Sequence, residues 1–264
     1  MKRTLTGTRR HGVSNSWKFP RAVFSNGWKF LFLLCVLCAS VRADWSDIPR
    51  AGLVGEWFTP GRVNGGFAAF DGARKNDLNL NTTNNFARAN GAIQFGQAYG
   101  TFNGALAPII DNATALSLCG WIYALSNTSQ RVFVQEDDSV GDNYELTISV
   151  NGPNGQFGVQ GTSGVASINF PLSLLTWTHF AATYAKNGGL KIYLNGKFST
   201  STTNSVSALG PTAGGIANFC RTSSGTAGVT RQFQGQLQFW LLYSRAISDV
   251  EAQQIYSAEK GFQP

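Results

Sequence analysis

Residues 177–197 read Trp-Thr-His-Phe-Ala-Ala-Thr-Tyr-Ala-Lys-Asn-Gly-Gly-Leu-Lys-Ile-Tyr-Leu-Asn-Gly-Lys. The first eight are rich in aromatics and Thr and contain no Pro, the composition of a half-buried strand. Lys186-Asn187-Gly188-Gly189 turns the chain, because Asn and Gly accept positive φ at little cost. Leu190, Ile192 and Leu194 then fall on one face of a second strand. Asn195-Gly196 follows, the dipeptide that most strongly favours a two-residue hairpin. The stretch predicts a β-ribbon, and with it a β-sheet protein.

Other segments carry the same period. Leu116–Tyr123 alternates apolar and small residues, and Leu53–Phe58 reads as a first strand. Near the end, Phe233, Gly235, Leu237, Phe239, Leu241 and Tyr243 alternate with Gln234, Gln236, Gln238, Trp240 and Leu242. This is a strand of about 11 residues by period-2 counting. Ser248-Asp249-Val250-Glu251 is a capping box, which predicts a short helix from Asp249 to about Ser257. No internal repeat is present.

These motifs resemble the laminin G-like branch of the concanavalin A-type jelly rolls. The matching features are the Leu-Val-x-x-Trp opening at 53–57, Leu116-x-Leu118-x-x-Trp121-Ile122, the Trp177–Lys197 ribbon, and the 235–251 strand with its Arg245-Ala246-Ile247-Ser248 helix start. They cover roughly residues 51–258. The resemblance implies an all-β, two-sheet antiparallel jelly-roll β-sandwich with a short C-terminal helix. The expected organisation is a leader over 1–43, a lead-in over 44–50, the jelly roll over 51–258 and a tail over 259–264.

The formal charge of +7 belongs to the leader. Eight basic residues lie in 1–43 and the first acid is Asp44, which leaves 13 basic and 14 acidic side chains beyond it. The body has no basic field of the kind that recruits nucleic acid. Phe30–Ser40 is an apolar run too short to span a bilayer comfortably, and Val41-Arg42-Ala43 suits signal cleavage. The expected localisation is therefore secreted or cell-surface, with membrane contact only through the leader if it stays uncleaved. Beyond the leader two cysteines remain, Cys119 and Cys220. In an oxidising compartment they form a candidate disulfide, closing a loop worth about 4–5 kcal/mol in the loop-entropy picture. Two buried free thiols are the alternative. The usual pentraxin cysteine partner position falls near Ala181–Ala182, so that family's pairing is absent. Asn81, Asn112 and Asn127 head glycosylation sequons.

For chemistry, jelly-roll glucanases carry Glu-x-Asp-x-x-Glu on one strand, and no such run occurs. The body's one histidine, His179, reads as a strand residue held by a hydrogen bond rather than a catalytic base. The expectation is no catalysis. Asp138, Asp142 and Asn143 lie in an acidic stretch, 136–145, that resembles one half of a pentraxin calcium loop. They are candidate Ca²⁺ ligands, with a solvated acidic hairpin as the alternative. If Phe233, Leu237, Phe239 and Leu241 fill the core, then Gln234, Gln236, Gln238 and Trp240 line a ligand face. Gln amides bond hydroxyls in both directions and Trp stacks on sugar rings. Trp57, Trp121 and Trp177 read as core. The function expected is a secreted, non-catalytic binding module for a glycan or an extracellular or surface protein, with calcium as a candidate aid; the rival is a structural or assembly scaffold.

Overall fold

The 177–197 ribbon forms as the alternation and turn residues predict. The computed structural model describes residues 47–57, 63–64, 68–69, 78–80, 86–89, 92–96, 99–102, 106–136, 144–161, 163–210, 216–220 and 231–262. Among the described residues the strands are, in chain order, β1 Leu53–Trp57, β2 Val63–Asn64, β3 Ala68–Ala69, β4 Leu78–Leu80, β5 Phe86–Ala89, β6 Ala92–Gly96, β7 Gly100–Phe102, β8 Ala115–Ala124, β9 Gln130–Glu136, β10 Tyr144–Asn151, β11 Asn154–Gly161, β12 Gly164–Pro171, β13 Thr178–Ala185, β14 Gly189–Leu194, β15 Lys197–Thr202, β16 Ile216–Phe219 and β17 Gln234–Tyr243. The helices are α1 Ala107–Ile110 and α2 Asp249–Glu259.

The strands make two antiparallel sheets. One runs β15-β14-β13-β8-β17-β6-β5, with β1 added along β17, and the other runs β12-β11-β10-β9-β16-β7-β4-β3-β2. The expected two-sheet jelly roll with a short C-terminal helix is what the chain forms. Asn195 and Gly196 both sit at positive φ, 50° and 75°, as a two-residue hairpin of the primed type requires.

The core lies between the sheets. Trp57, Phe95, Leu118, Ile122, Phe133, Ile148, Phe157, Phe180 and Trp240 are among its members. A second apolar layer lies on the far side of the eight-stranded sheet, where α2 covers Cys119, Ala181, Tyr193, Leu241 and Tyr243 with Ala252, Ile255 and Ala258.

The capping box fixes where α2 starts. Ser248 Oγ accepts from the Glu251 N–H at 3.3 Å, and Glu251 Oε2 accepts from the Ser248 N–H at 2.8 Å. The Arg245 guanidinium also grips Glu251 and holds its carboxyl down to about 2. Arg245 Nε donates to Ala51 O at 2.7 Å, tying the helix start to the approach to β1.

One interior polar group stands out. Gln135 pairs in register with Leu146 and Ala217, whose side chains face the inter-sheet core. Its amide is fully buried, and neither Nε2 nor Oε1 has a hydrogen-bond partner among the described residues. Leaving such an amide unsatisfied costs about 1–3 kcal/mol. Gln135→Leu, close in volume, is therefore expected to raise the unfolding free energy by about that amount, read by urea denaturation. A loss of stability would contradict this and assign the amide a bound internal water.

Candidate functional site

The ligand face expected from β17 divides three ways. Leu237 faces the inter-sheet core, as alternation demands. Between Gln238 and Leu241, however, β17 carries one residue more than β8 opposite it. The bulge falls at Phe239, whose φ is +51°. One extra residue flips every side chain beyond it to the other face. Trp240 and Leu242 therefore point into the core, while Leu241 and Tyr243 point out beneath α2.

Trp240 is thus a core residue and not a ligand-face residue. It is fully buried, with Phe219 and Phe180 rings 4.9 and 5.1 Å away, and its indole N–H donates to Trp121 O at 3.3 Å. Gly120 makes room for it: a Cβ there would come within 2.8 Å of the indole. Gln238 keeps its outward direction but is fully buried, in register with Trp121. Gln234 is exposed and Gln236 half-exposed. Only these two of the four expected residues lie on an accessible face.

Around Gln238 the outer face is sealed. His179 lies beside Trp121, ring centroids 5.1 Å apart, with Tyr256 of α2 at 5.7 Å. His179 Nε2 lies 3.4 Å from Glu259 Oε2, and both side chains are wholly buried. Neither ring nitrogen makes an aligned hydrogen bond to a described residue, contrary to the expectation for this histidine. Burial lowers the imidazole to about 3 and raises the Glu259 carboxyl well above the usual range. Trp121 opposes the rise at Glu259 and Glu56 adds to it. The Trp121 N–H is not aligned into a hydrogen bond, so burial dominates. Glu56 is itself paired with Arg50 at 3.1 Å. Burial also pushes the Cys119 thiol up. A neutral thiol, a neutral imidazole and a closed cover give no activated nucleophile here.

The same face opens where α2 ends. Tyr123, flanked by the inward Ile122 and Ala124, points outward and is half-exposed. Trp177 meets it with ring centroids 5.5 Å apart at 48°. Gln236 stands opposite Tyr123 in register, and Gln94 of β6 stands opposite Gln236. Gly235 lets β17 lie this close, since a Cβ there would fall 2.2 Å from Tyr123 O. The result is a row of Trp177, Tyr123, Gln236 and Gln94 with Gln234 at its side. It joins two aromatic faces to amides that both donate and accept, and none of these side chains is charged.

Trp177 was expected in the core. It lies instead at the start of β13, one residue outside the strand, where the cover ends. Tyr123 lies in a strand that reads as core throughout. Its parity with Trp121 and Cys119 was the available signal.

The remaining expectations resolve unevenly. Cys119 and Cys220 are both free and buried. Cys119 lies in the layer under α2 and Cys220 in the inter-sheet core. They occupy opposite sides of the eight-stranded sheet, so of the two alternatives the structure has the buried free thiols and not the candidate disulfide. Asp138, Asp142 and Asn143, Asn81, and the leader over 1–43 lie outside the described residues. No group of three or more metal-type side chains occurs among the described residues.

A sequence model of the family described as the concanavalin A-like lectin/glucanases superfamily matches residues 95–253. No curated protein matches the sequence. Among solved structures, Trypanosoma rangeli sialidase in complex with sialic acid is similar with a TM-score of 0.61 at 16% identity, over 81% of this chain and 34% of that one. The binding domain of Paraclostridial Mosquitocidal Protein 1 aligns at TM-score 0.59 and 14% identity, over 78% and 52%. A botulinum neurotoxin type C structure, described as interacting with two ganglioside molecules, aligns at 0.57 and 13%, over 81% and 52%. The chain spans about a third of the sialidase and about half of the toxin chains.

These likenesses correct the expected function. The expectation of a non-catalytic binding module does not stand, because the same fold makes up a third of an enzyme chain. The sandwich is common to an enzyme chain and to binding domains, so the fold itself decides neither for nor against catalysis.

Proposed function

Because the chain belongs to the concanavalin A-like lectin/glucanases superfamily, we propose that it is a lectin-like domain that holds a sugar ring against the Tyr123–Trp177 platform. The observation that carries this reading is the open row itself: two half-exposed aromatic rings in contact, with Gln236 and Gln94 beside them. The apolar face of a pyranose covers an aromatic ring, and its hydroxyls reach flanking amides. With no cation on the row, the favoured ligand is a neutral glycan. The sialidase with its sialic acid and the neurotoxin with its gangliosides support glycan as the ligand class.

A glycan array carrying matched neutral and sialylated structures tests this. Trp177→Ala and Tyr123→Ala are each expected to weaken neutral-glycan binding about ten- to hundredfold, the loss of one stacking face, with the melting temperature little changed. Wild-type binding by the Trp177→Ala, Tyr123→Ala double variant would overturn the reading.

A further inference from the structure

The nine-stranded sheet ends in an open edge. β12 has β11 as its one partner in the sheet, and the two run in unbroken register from Gly161↔Gly164 to Asn154↔Pro171. Just beyond, Leu172 N–H donates to Pro153 O at 3.3 Å. Residues of an antiparallel strand alternate between bonding their neighbour and facing away from it, so Phe170, Ile168 and Ala166 bond β11 as Leu172 does. Val165, Ser167, Asn169 and Pro171 then turn their backbone groups to the free edge, with carbonyls at all four and N–H groups at the first three. Among the described residues no backbone bond reaches these groups. Their side chains are exposed, Val165 by 70%, and alternate with the buried Ala166, Ile168 and Phe170.

Proteins blunt such edges with lysines, bulges or very short strands. The other sheet ends carry these devices. β2 has two residues, β5 has four with Arg88 among them, and β15 holds Lys197 and one residue more than β14 opposite it. β12 has eight residues and no bulge. No Asp, Glu, Lys or Arg occurs anywhere in 146–185.

We propose that two copies of this chain pair through β12, antiparallel about Ile168, into one continuous sheet. The free backbone groups lie at odd positions, so odd residues bond odd residues of the second copy and inward side chains meet inward ones. A two-fold axis at Ile168 uses the whole free edge. It sets Ser167 against the second copy's Asn169, Val165 against its Pro171, Ala166 against its Phe170, and Ile168 against itself. Polar meets polar and apolar meets apolar in every row. Moving the axis to Ser167 sets Val165 against Asn169, and moving it to Asn169 sets Ser167 against Pro171. The Ile168 register makes about six backbone hydrogen bonds over about 24 Å. This self-match selects a second copy over a foreign strand. The inference stands apart from the glycan reading, because Tyr123 and Trp177 belong to the other sheet.

Sedimentation equilibrium of the full chain tests it. The wild type is expected to form a dimer whose fraction rises with concentration. Ser167→Lys with Asn169→Lys sets like charges directly opposite one another and is expected to weaken self-association by about tenfold or more. Ser167→Glu with Asn169→Glu should do the same. Mixing the two variants sets Lys against Glu and should restore the dimer. Both positions are exposed, so the fold is kept, which a thermal melt checks. Ser199→Lys with Ser201→Lys, on the edge of β15, should leave the dimer unchanged. The proposal is overturned if the wild type stays monomeric up to its solubility limit, if either β12 variant dimerises like the wild type, if their mixture stays monomeric, or if the β15 variant loses the dimer equally.

Discussion

Trp240→Ala is expected to lower the unfolding free energy by about 3–5 kcal/mol, the range for deleting a large aromatic from a closed core. Its indole is packed among Phe133, Phe180 and Phe219 and bonded to the Trp121 carbonyl. Gly120 leaves a space shaped to that ring, so the cavity has little means of collapsing. Denaturant unfolding of the variant measures the loss. Glycan affinity per folded molecule should not change, because Trp240 lies on the core side of the sheet and the platform on the other. A variant that melts like the wild type but loses glycan binding would place Trp240 on a ligand face after all and undo the bulge assignment.

The second large effect is on pH dependence. Burial lowers His179 to about 3 and raises Glu259, so the folded pair holds one proton, on the Glu259 carboxyl beside a neutral imidazole. Unfolded, a carboxyl titrates near its usual 4.5 and an imidazole near 6.5. Between these values the unfolded pair also holds one proton, and stability is flat. Above 6.5 the unfolded pair has none, so the folded state binds more protons and stability falls as pH rises. Below 4.5 the unfolded pair takes a second proton, so stability falls as pH drops. Each limb has a slope of about 1.4 kcal/mol per pH unit. Above about pH 6.5 the pair is thus expected to lower stability as pH rises, for as long as the buried Glu259 keeps its proton. Glu259→Gln removes the high-pH limb. The informative quantity is the difference between wild type and Glu259→Gln, because Cys119, Tyr243 and Glu56 interact with Glu259 and their other neighbours are common to both. A wild-type stability curve parallel to that of Glu259→Gln over this range would contradict a retained proton.

The fold was legible where period and turn chemistry agreed. Alternation in 178–194, Asn195-Gly196 and the Ser248–Glu251 box each placed an element correctly, because each depends on residues adjacent in sequence. The ligand face was half legible. Gln234 and Gln236 precede the bulge and keep the expected direction. Gln238 keeps it too, yet lies under a helix whose docking no local pattern reveals. Trp240 follows the bulge and is reversed. The bulge places a phenylalanine at positive φ, with no glycine to mark it, though the continuous apolar run 239–242 hints that alternation has ended. Cys119 and Cys220 shared a compartment argument but not a face. Function was the least legible, since a jelly roll serves enzyme and binding chains alike.

The central claim is that sugar is held on the open half of the eight-stranded sheet. Side-chain NMR during titration with the tightest neutral glycan tests it most directly. The Trp177 indole N–H and the amide protons of Gln94 and Gln236 should shift together and saturate at one affinity, while Trp240 and Gln238 stay fixed. Shifts confined to the nine-stranded sheet, or to Trp240 and Gln238, would contradict the claim.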